Sequence, residues 1–390
     1  MKQVIRRGIM DANGIKKDKD IYTLLIDGNS LLKLSLVDKR MNSRGEEYGA
    51  VFQFFWQMKK RLDDIDYNFV YVFWDGDGSG QLRYRYYPDY KSNRDKHYRD
   101  EEPKSDYERQ LQDFYKRAMN YYRSKEHKPV KRNETEDESF KRQRMIIQNM
   151  LEHLFVRQMI CDDVEGDDLI AYYVNHRKDN EHITIFSGDK DIMQLISDNV
   201  SVYMPQIKKT VTASNHKELM GYTHENVVIK KILCGDQSDA IKGIKGLGEK
   251  TFFTLFPEAV DRKLTIDEIT DRTEELIEER RKEKKKPLKV MENIINKVTD
   301  GCQGEMIYEI NKKIIDLSEP LLTDEAKEEI EALSYAPIDP DGRDYKGLYN
   351  IITENEMNEL LDENKFSLLF SCFENVIAKE KKRYEESLDF

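Results

Sequence analysis

Short apolar runs recur along the chain, each stopped by turn-forming residues. Residues 21–26 (IYTLLI) run into Asp27-Gly28-Asn29, and 69–74 (FVYVFW) into Asp75-Gly76-Asp77-Gly78. ITIF at 183–186 leads to Ser187-Gly188-Asp189-Lys190-Asp191, and VSVYMP at 200–205 closes on Pro205. Runs of this length bounded by Gly, Pro, Asn and Asp read as buried strands. Between them the spacing predicts helices: from the first turn through about residue 62, near 141–158, and over roughly 165–177. Strands alternating with helices imply βαβ units, hence an α/β fold with a mostly parallel central sheet flanked by helices. Residues 81–140 interrupt this rhythm, being polar, Tyr-rich and Lys/Arg-rich. A charged helical stretch at 274–298 breaks at Pro287, and the tail beyond 324 keeps moderate helical periodicity.

Composition narrows the class. The chain of 390 residues is 38% hydrophobic and 36% charged, with no apolar run near the roughly 20 residues of a membrane span. Its first 20 residues lack the apolar segment of a signal peptide. Cys161, Cys234, Cys302 and Cys372 lie far apart, which fits a reducing, cytoplasmic setting rather than a zinc ribbon or disulfide framework. The net charge of −11 is uneven: residues 324–390 hold 18 acids against 8 bases, leaving the remainder near neutral. Within that remainder, 116–132 carries 7 bases and one acid.

Candidate chemistry lies at the strand ends. Three strands deliver an aspartate, Asp27, Asp75 and Asp189, to the carboxyl edge where open α/β sheets place their sites. The stretch DDVEGDDLIAYYV (162–174) adds five carboxylates at the start of a helix. A helix dipole welcomes two acids there and five less readily. Together with Asp191, Asp236 and Asp239, these acids need protons, basic partners or metal to coexist. A carboxylate-only set selects hard ions such as Mg²⁺ or Mn²⁺, and its size suits two of them. Further along, GIKGLGEKT (243–251) is not a Walker loop, because Glu249 separates Gly248 from Lys250. Gly243, Gly246 and Gly248 suit a helix–hairpin–helix turn that offers backbone N–H groups to phosphate; an ordinary glycine turn is the alternative. The basic run RRKEKKK (280–286) reads first as a solvated face and second as a nucleic-acid contact.

Six blocks in order resemble the 5′-nucleases of the flap endonuclease family: LLIDGN, FWDG, LRYRYYPDYKSNRD, VEGDDLIA, SGDKD and GDQSDAIKGIKGLGEKT, spanning about 21–256. That family includes phage 5′-exonucleases, phage-type ribonuclease H and the nuclease domain of bacterial DNA polymerase I. The resemblance implies a PIN-like core over 20–220 with a helical arch at about 80–140. It also implies a helix–hairpin–helix region with return to the core over 221–323, and an acidic helical extension over 324–390. It assigns Asp27, Asp75, Glu165 and Asp167 to a first metal cluster, and Asp189, Asp191, Asp236 and Asp239 to a second. Asp168 matches an additional acid, whereas Asp162 and Asp163 match nothing catalytic.

By the same resemblance Lys91 and Arg94 would meet the scissile phosphate, and Arg83 and Arg85 the nucleic-acid backbone. Tyr84, Tyr86, Tyr87 and Tyr90 are candidates to stack on bases, with packing or simple exposure as the alternative. Gly243, Gly246, Gly248, Lys250 and Thr251 would hold duplex phosphates. Ala240 departs from the Asn usual in bacterial members. The implied cofactors are two Mg²⁺, with Mn²⁺ as substitute, and K⁺ on the carbonyls around Ile241, Ile244 and Leu247.

The implied activity is 5′-3′ exonuclease or flap endonuclease action on DNA flaps, nicks and 5′ ends, with RNA·DNA hybrids as a further substrate. The setting would be replication in the cytoplasm, or a host's cytoplasm if the source is a virus. The acidic C-terminal part would either cap the core or dock a sliding clamp or single-strand-binding protein. Two other classes fit the residues less well. A non-catalytic nucleic-acid binder would not need every acid retained, and a Mg²⁺-dependent phosphatase would need neither arch nor glycine turn.

Overall fold

The computed structural model describes residues 20–93, 134–299, 302–303 and 305–389. Its centre is a six-stranded sheet: β1 (Ile21–Asp27), β2 (Phe69–Asp75), β3 (Arg157–Cys161), β4 (Glu181–Phe186), β5 (Val200–Met204) and β6 (Lys209–Val211). The order is β3-β2-β1-β4-β5-β6, parallel throughout except for antiparallel β6. The mostly parallel sheet read from the apolar runs is therefore present. Two of its strands, β3 and β6, had no such run. In β3, RQMIC alternates buried Arg157, Met159 and Cys161 with more exposed Gln158 and Ile160 at the sheet edge, a pattern too short and polar to stand out.

Both faces of the sheet are covered, so the inner strands bury apolar side chains to both sides. Leu24, Ile26, Val72 and Trp74 face one cluster; Leu25, Tyr71 and Phe73 face the other. The first cluster is closed by α1 (Gly28–Ser35), α2 (Gly49–Asp64) and α3 (Glu136–His153). The single helix expected through residue 62 is thus two, separated by a turn at Gly45 with φ +78°. The helix α3 opens with a capping box, Thr135 accepting from the Glu138 N–H while Glu138 accepts from the Thr135 N–H. The second cluster is closed by α4 (Gly166–Asn175), the helix of the acidic stretch.

Beyond the sheet, α5 (Val227–Cys234) and α6 (Glu249–Leu255) flank a small ribbon, Gly235–Asp236 paired with Ile241–Lys242, and the glycine turn. Gly243 is required there: a Cβ would lie 2.2 Å from the Cys234 carbonyl carbon. α7 (Ile266–Lys282) and α8 (Lys289–Ile295) share this region's own apolar cluster with Phe252 and Phe256. α9 (Glu305–Ile315) then carries the chain back toward the sheet.

The acidic C-terminal stretch is not a loose appendage. Leu348, Ile352, Leu369, Phe370 and Phe373 enter the same cluster as Phe54 and Phe55, with the Phe55 and Phe370 rings 5.3 Å apart. The final helix, α10 (Glu374–Leu388), places fully buried Glu380 against Arg157 of β3 at 2.7 Å and against Arg383 at 2.6 Å. Of the two roles expected for this stretch, capping the core is the one its apolar side chains perform. Cys161, Cys234 and Cys372 are free thiols. Among the described residues no helix is long and apolar enough to cross a membrane.

Candidate metal centre and nucleic-acid interface

The chain order reverses between β1 and β4, the switch point at which open α/β sheets form a crevice. Asp27 ends β1 and caps α1, accepting from the Ser30 N–H at 2.8 Å. Its second oxygen accepts from the Ser187 hydroxyl at 2.8 Å, joining the β1 and β4 ends across the crevice. Asp75 accepts from the Gly166 N–H at 2.8 Å and from the Asn29 amide. Gly76 must follow it, because a Cβ would sit 1.7 Å from the Cys161 carbonyl oxygen. In this way DGN and FWDG are local devices that fix two carboxylates side by side.

The opening acids divide by place. Asp162 is exposed, and Asp163 sits at φ +63°, the left-handed conformation Asp tolerates, with its N–H on the Asp77 carbonyl. Glu165 is buried between Arg83 at 2.9 Å, the Tyr90 hydroxyl at 2.9 Å and the Lys91 ammonium. Burial works to raise its carboxyl, but the charges of Arg83 and Lys91 outweigh that and hold it below the ordinary glutamate range. Asp167 faces the crevice. Burial and the charges of Asp27, Asp189, Asp75 and Glu165 push its carboxyl well above the ordinary range. Asp27 rises to about 7, first through burial and then through Asp75 and Asp189.

Three expected contacts are corrected by this geometry. Arg83, expected on the nucleic-acid backbone, is buried: its guanidinium takes Asp168 in a two-pronged pair and donates to the Ile314 carbonyl at 3.0 Å. Asp168, expected beside metal, spends its oxygens on that guanidinium and on the Leu321 N–H at 2.9 Å. Tyr90, expected to stack on bases, is 3% exposed, with its hydroxyl on Glu165. Tyr86 and Arg85 do face solvent. Arg94 and the basic stretch 116–132 lie outside the described residues.

The second group gathers on the other wall. Single carboxylate oxygens of Asp191, Asp236 and Asp239 lie within 4.8 Å of one another. Asp189 accepts from the Asp191 N–H at 2.9 Å. Lys231 of α5 reaches between Asp191 and Asp236, 2.5 Å from the latter. Burial would raise Asp236, but Lys231 and the two Ser238 donors hold it low. Asp191 rises to about 7, burial outweighing its lysine. The two groups share one cleft, lined by Lys91, Glu165, Asp167, Asp189, Asp191 and Asp239.

The acidic groups of the cleft offer oxygens, several with proton affinities raised by burial and by one another, and among the described residues the Asn29 side-chain oxygen is buried without a hydrogen-bond partner. That chemistry fits hard divalent cations. Ser187, Asn29 and Lys231 went unassigned in the sequence. The first two lie inside quoted blocks, whereas nothing local marks Lys231, whose role depends on how α5 packs.

The base of the expected arch is stitched to the second group. Lys91, at φ +55°, donates its N–H to the Asp239 carbonyl at 2.8 Å, and the Asn93 amide reaches the Gln237 carbonyl at 2.5 Å. The Tyr87 hydroxyl donates to the Ala240 carbonyl at 3.2 Å. In the glycine turn Gly246 has φ +83°, and Lys242, Gly248 and Lys250 are exposed.

Residues 22–230, more than half of the chain, match the model of the 5′-3′ exonuclease N-terminal resolvase-like domain. The chain belongs to that 5′-3′ exonuclease family. DNA polymerase I of Bacillus subtilis is 27% identical over 257 residues, covering 63% of this chain and 25% of that one. A 5′-3′ exonuclease of Mycoplasmopsis pulmonis is 39% identical over 87 residues, 22% of this chain and 29% of that one. The chain thus spans about a quarter of the length of the curated relatives it matches. A bacteriophage T5 flap endonuclease structure, a pseudo-enzyme–product complex with DNA and metal ions, is 18% identical with a TM-score of 0.49. It covers 86% of this chain and 99% of that chain.

Proposed function

We propose that the chain is a divalent-metal-dependent, structure-specific 5′-nuclease that hydrolyses phosphodiester bonds near the 5′ ends of DNA at flaps and nicks. RNA in RNA·DNA hybrids is a second substrate in this reading. The observation that carries it is the convergence of Asp27, Asp75, Glu165, Asp167, Asp189, Asp191, Asp236 and Asp239 on the carboxyl edge of the sheet, with Lys91 at their margin. Two Mg²⁺ or Mn²⁺ ions would supply an activated water and offset the charge of the in-line transition state.

The chain's own residues do the rest. Asp27 and Asp75 are oriented by Ser30, Ser187, Gly166 and Asn29, so the first wall stands before ligand arrives. Lys91, anchored through its backbone to Asp239, offers a fixed cation to the scissile phosphate, a task shared in this proposal with Arg94. Arg83 holds Glu165 and Asp168 as a positioning residue. Exposed Arg85, the N–H groups of the turn at Gly243, Gly246 and Gly248, and Lys250 with Thr251 would take duplex phosphates, with K⁺ at the neighbouring carbonyls. Docking of a clamp or single-strand-binding protein would fall to exposed acids such as Glu325 and Glu328, because the apolar side of the tail is used in the core.

The test is a 5′-labelled flap and a nicked duplex incubated with Mg²⁺ or EDTA, using wild type and Asp189→Ala. Short 5′ products are expected from wild type in Mg²⁺, none in EDTA, and at least a hundredfold slower release from the variant. Wild type that leaves both substrates intact in Mg²⁺ and Mn²⁺ would overturn the proposal.

A further inference from the structure

The charged loop at 280–289 (RRKEKKKPLK) carries seven bases and one acid in a chain of net charge −11. Part of it has a local explanation, because Arg280, Arg281 and Lys282 close α7 and complement the negative end of its dipole. Lys284, Lys285, Lys286 and Lys289 lie beyond the helix end and gain nothing from it. The loop is also built, not a free tail. The Lys285 N–H returns to the Arg280 carbonyl at 2.8 Å, and the Arg280 guanidinium donates to the Lys286 carbonyl at 2.9 Å. Lys284 takes φ +58° to close this tight bend. Lys285 is paired with Glu283 and Lys289 with Glu292. Arg281, Lys282, Lys284 and Lys286 are exposed and have no acidic partner among the described residues.

The position of the loop gives these cations an occupant. α8 begins at Lys289 and seats its next residue, Val290, on the glycine turn, where a Cβ at Gly246 would meet it at 3.7 Å. One turn later the Asn293 amide donates to the Lys245 carbonyl at 2.8 Å. Loop, α8 and glycine turn are therefore one packed block, with Lys242, Lys245 and Lys250 exposed on the turn side.

We infer that the 280–289 loop is a second backbone contact for the double-stranded arm of the substrate, continuous with the glycine turn. It rests on the proposed duplex binding at that turn. Flexible lysines and an arginine without base-reading partners neutralise phosphates irrespective of sequence, so the contribution is to affinity and footprint, not to base choice. It also joins the two readings of RRKEKKK: Arg280 braces the bend, while the exposed Arg281, Lys282, Lys284 and Lys286 face the ligand, the first two also complementing the dipole.

The test uses the full chain in EDTA and fluorescence anisotropy on a labelled duplex with a 5′ flap, in a salt series from about 50 to 200 mM. Arg281→Gln/Lys282→Gln/Lys284→Gln/Lys286→Gln is compared with wild type and with the charge-conserving Arg281→Lys/Lys282→Arg/Lys284→Arg/Lys286→Arg. The expected result is a salt slope shallower by about 0.9 for each phosphate contact removed, and affinity at low salt at least tenfold weaker. The charge-conserving variant should restore both, which a folding defect would not predict. Equal slopes for wild type and the Gln variant would overturn the inference alone. Absence of duplex binding by wild type would instead overturn the reading on which it rests.

Discussion

Two residues show how much of the site is conformational before it is chemical. Ala240 sits at φ +58°, where a Cβ-bearing residue other than Asn or Asp is unfavourable by roughly 1 kcal/mol. Ala240→Asn and Ala240→Gly should each stabilise the protein by about 0.5–1 kcal/mol. Differential scanning calorimetry would register this as a midpoint higher by about 1–2 °C. A lower midpoint in both variants would show that the left-handed turn is not held in solution. Lys231, in turn, is a cation already seated between Asp191 and Asp236. A divalent ion entering there must displace or share it. Lys231→Met should therefore melt at lower temperature without metal, bind Mn²⁺ about tenfold more tightly by calorimetric titration, and recover its midpoint when Mn²⁺ is added. A drop in midpoint with unchanged Mn²⁺ affinity would make Lys231 a structural brace only.

At the scale of elements, the edge strand β3 and the final helix α10 are held by a buried charge network. Glu380 is fully buried and takes Arg157 and Arg383, while Arg157 also donates to the Leu333 carbonyl at 3.2 Å and Arg383 to the Asn68 carbonyl at 2.7 Å. Removing the carboxylate leaves two guanidinium groups without their counter-charge, one of them buried. Glu380→Ala is expected to cost about 3–5 kcal/mol, seen as an earlier urea midpoint. Cleavage per folded molecule should stay at the wild-type level, since no cleft residue is touched. A loss under about 1 kcal/mol would mean that α10 is not docked in solution. The same network explains why β3 escaped notice in the sequence. Its first residue is an arginine whose burial makes sense only once a partner 223 positions away is in place.

For the whole molecule, what was legible locally was legible well. Strands that end in Asp-Gly announce both a sheet and its functional edge, and SGDKD carries the donor that orients its own carboxylate, the Asp191 N–H on Asp189. What depended on packing between distant segments was not legible. Arg83 sits in a block that reads as basic and exposed, yet it is buried because Asp168 and the returning segment at 314–321 close over it. Asp168 stands beside Asp167 in sequence but points at that guanidinium, not at the cleft. The acidic tail offered only moderate helical periodicity and a charge balance, neither of which says that its apolar side chains close the central cluster.

That contribution has a consequence in the order of synthesis. Phe54 and Phe55 are made early, but Leu369, Phe370 and Phe373, which close the same cluster, are made more than 300 residues later. At about 5–20 residues per second, roughly 15–65 s separate the two on a ribosome. During that interval the first apolar surface waits uncovered, a substrate for chaperones and a hazard for aggregation. Every carboxylate of the acidic crevice lies before residue 240, so the crevice side chains are made while this cluster is still open.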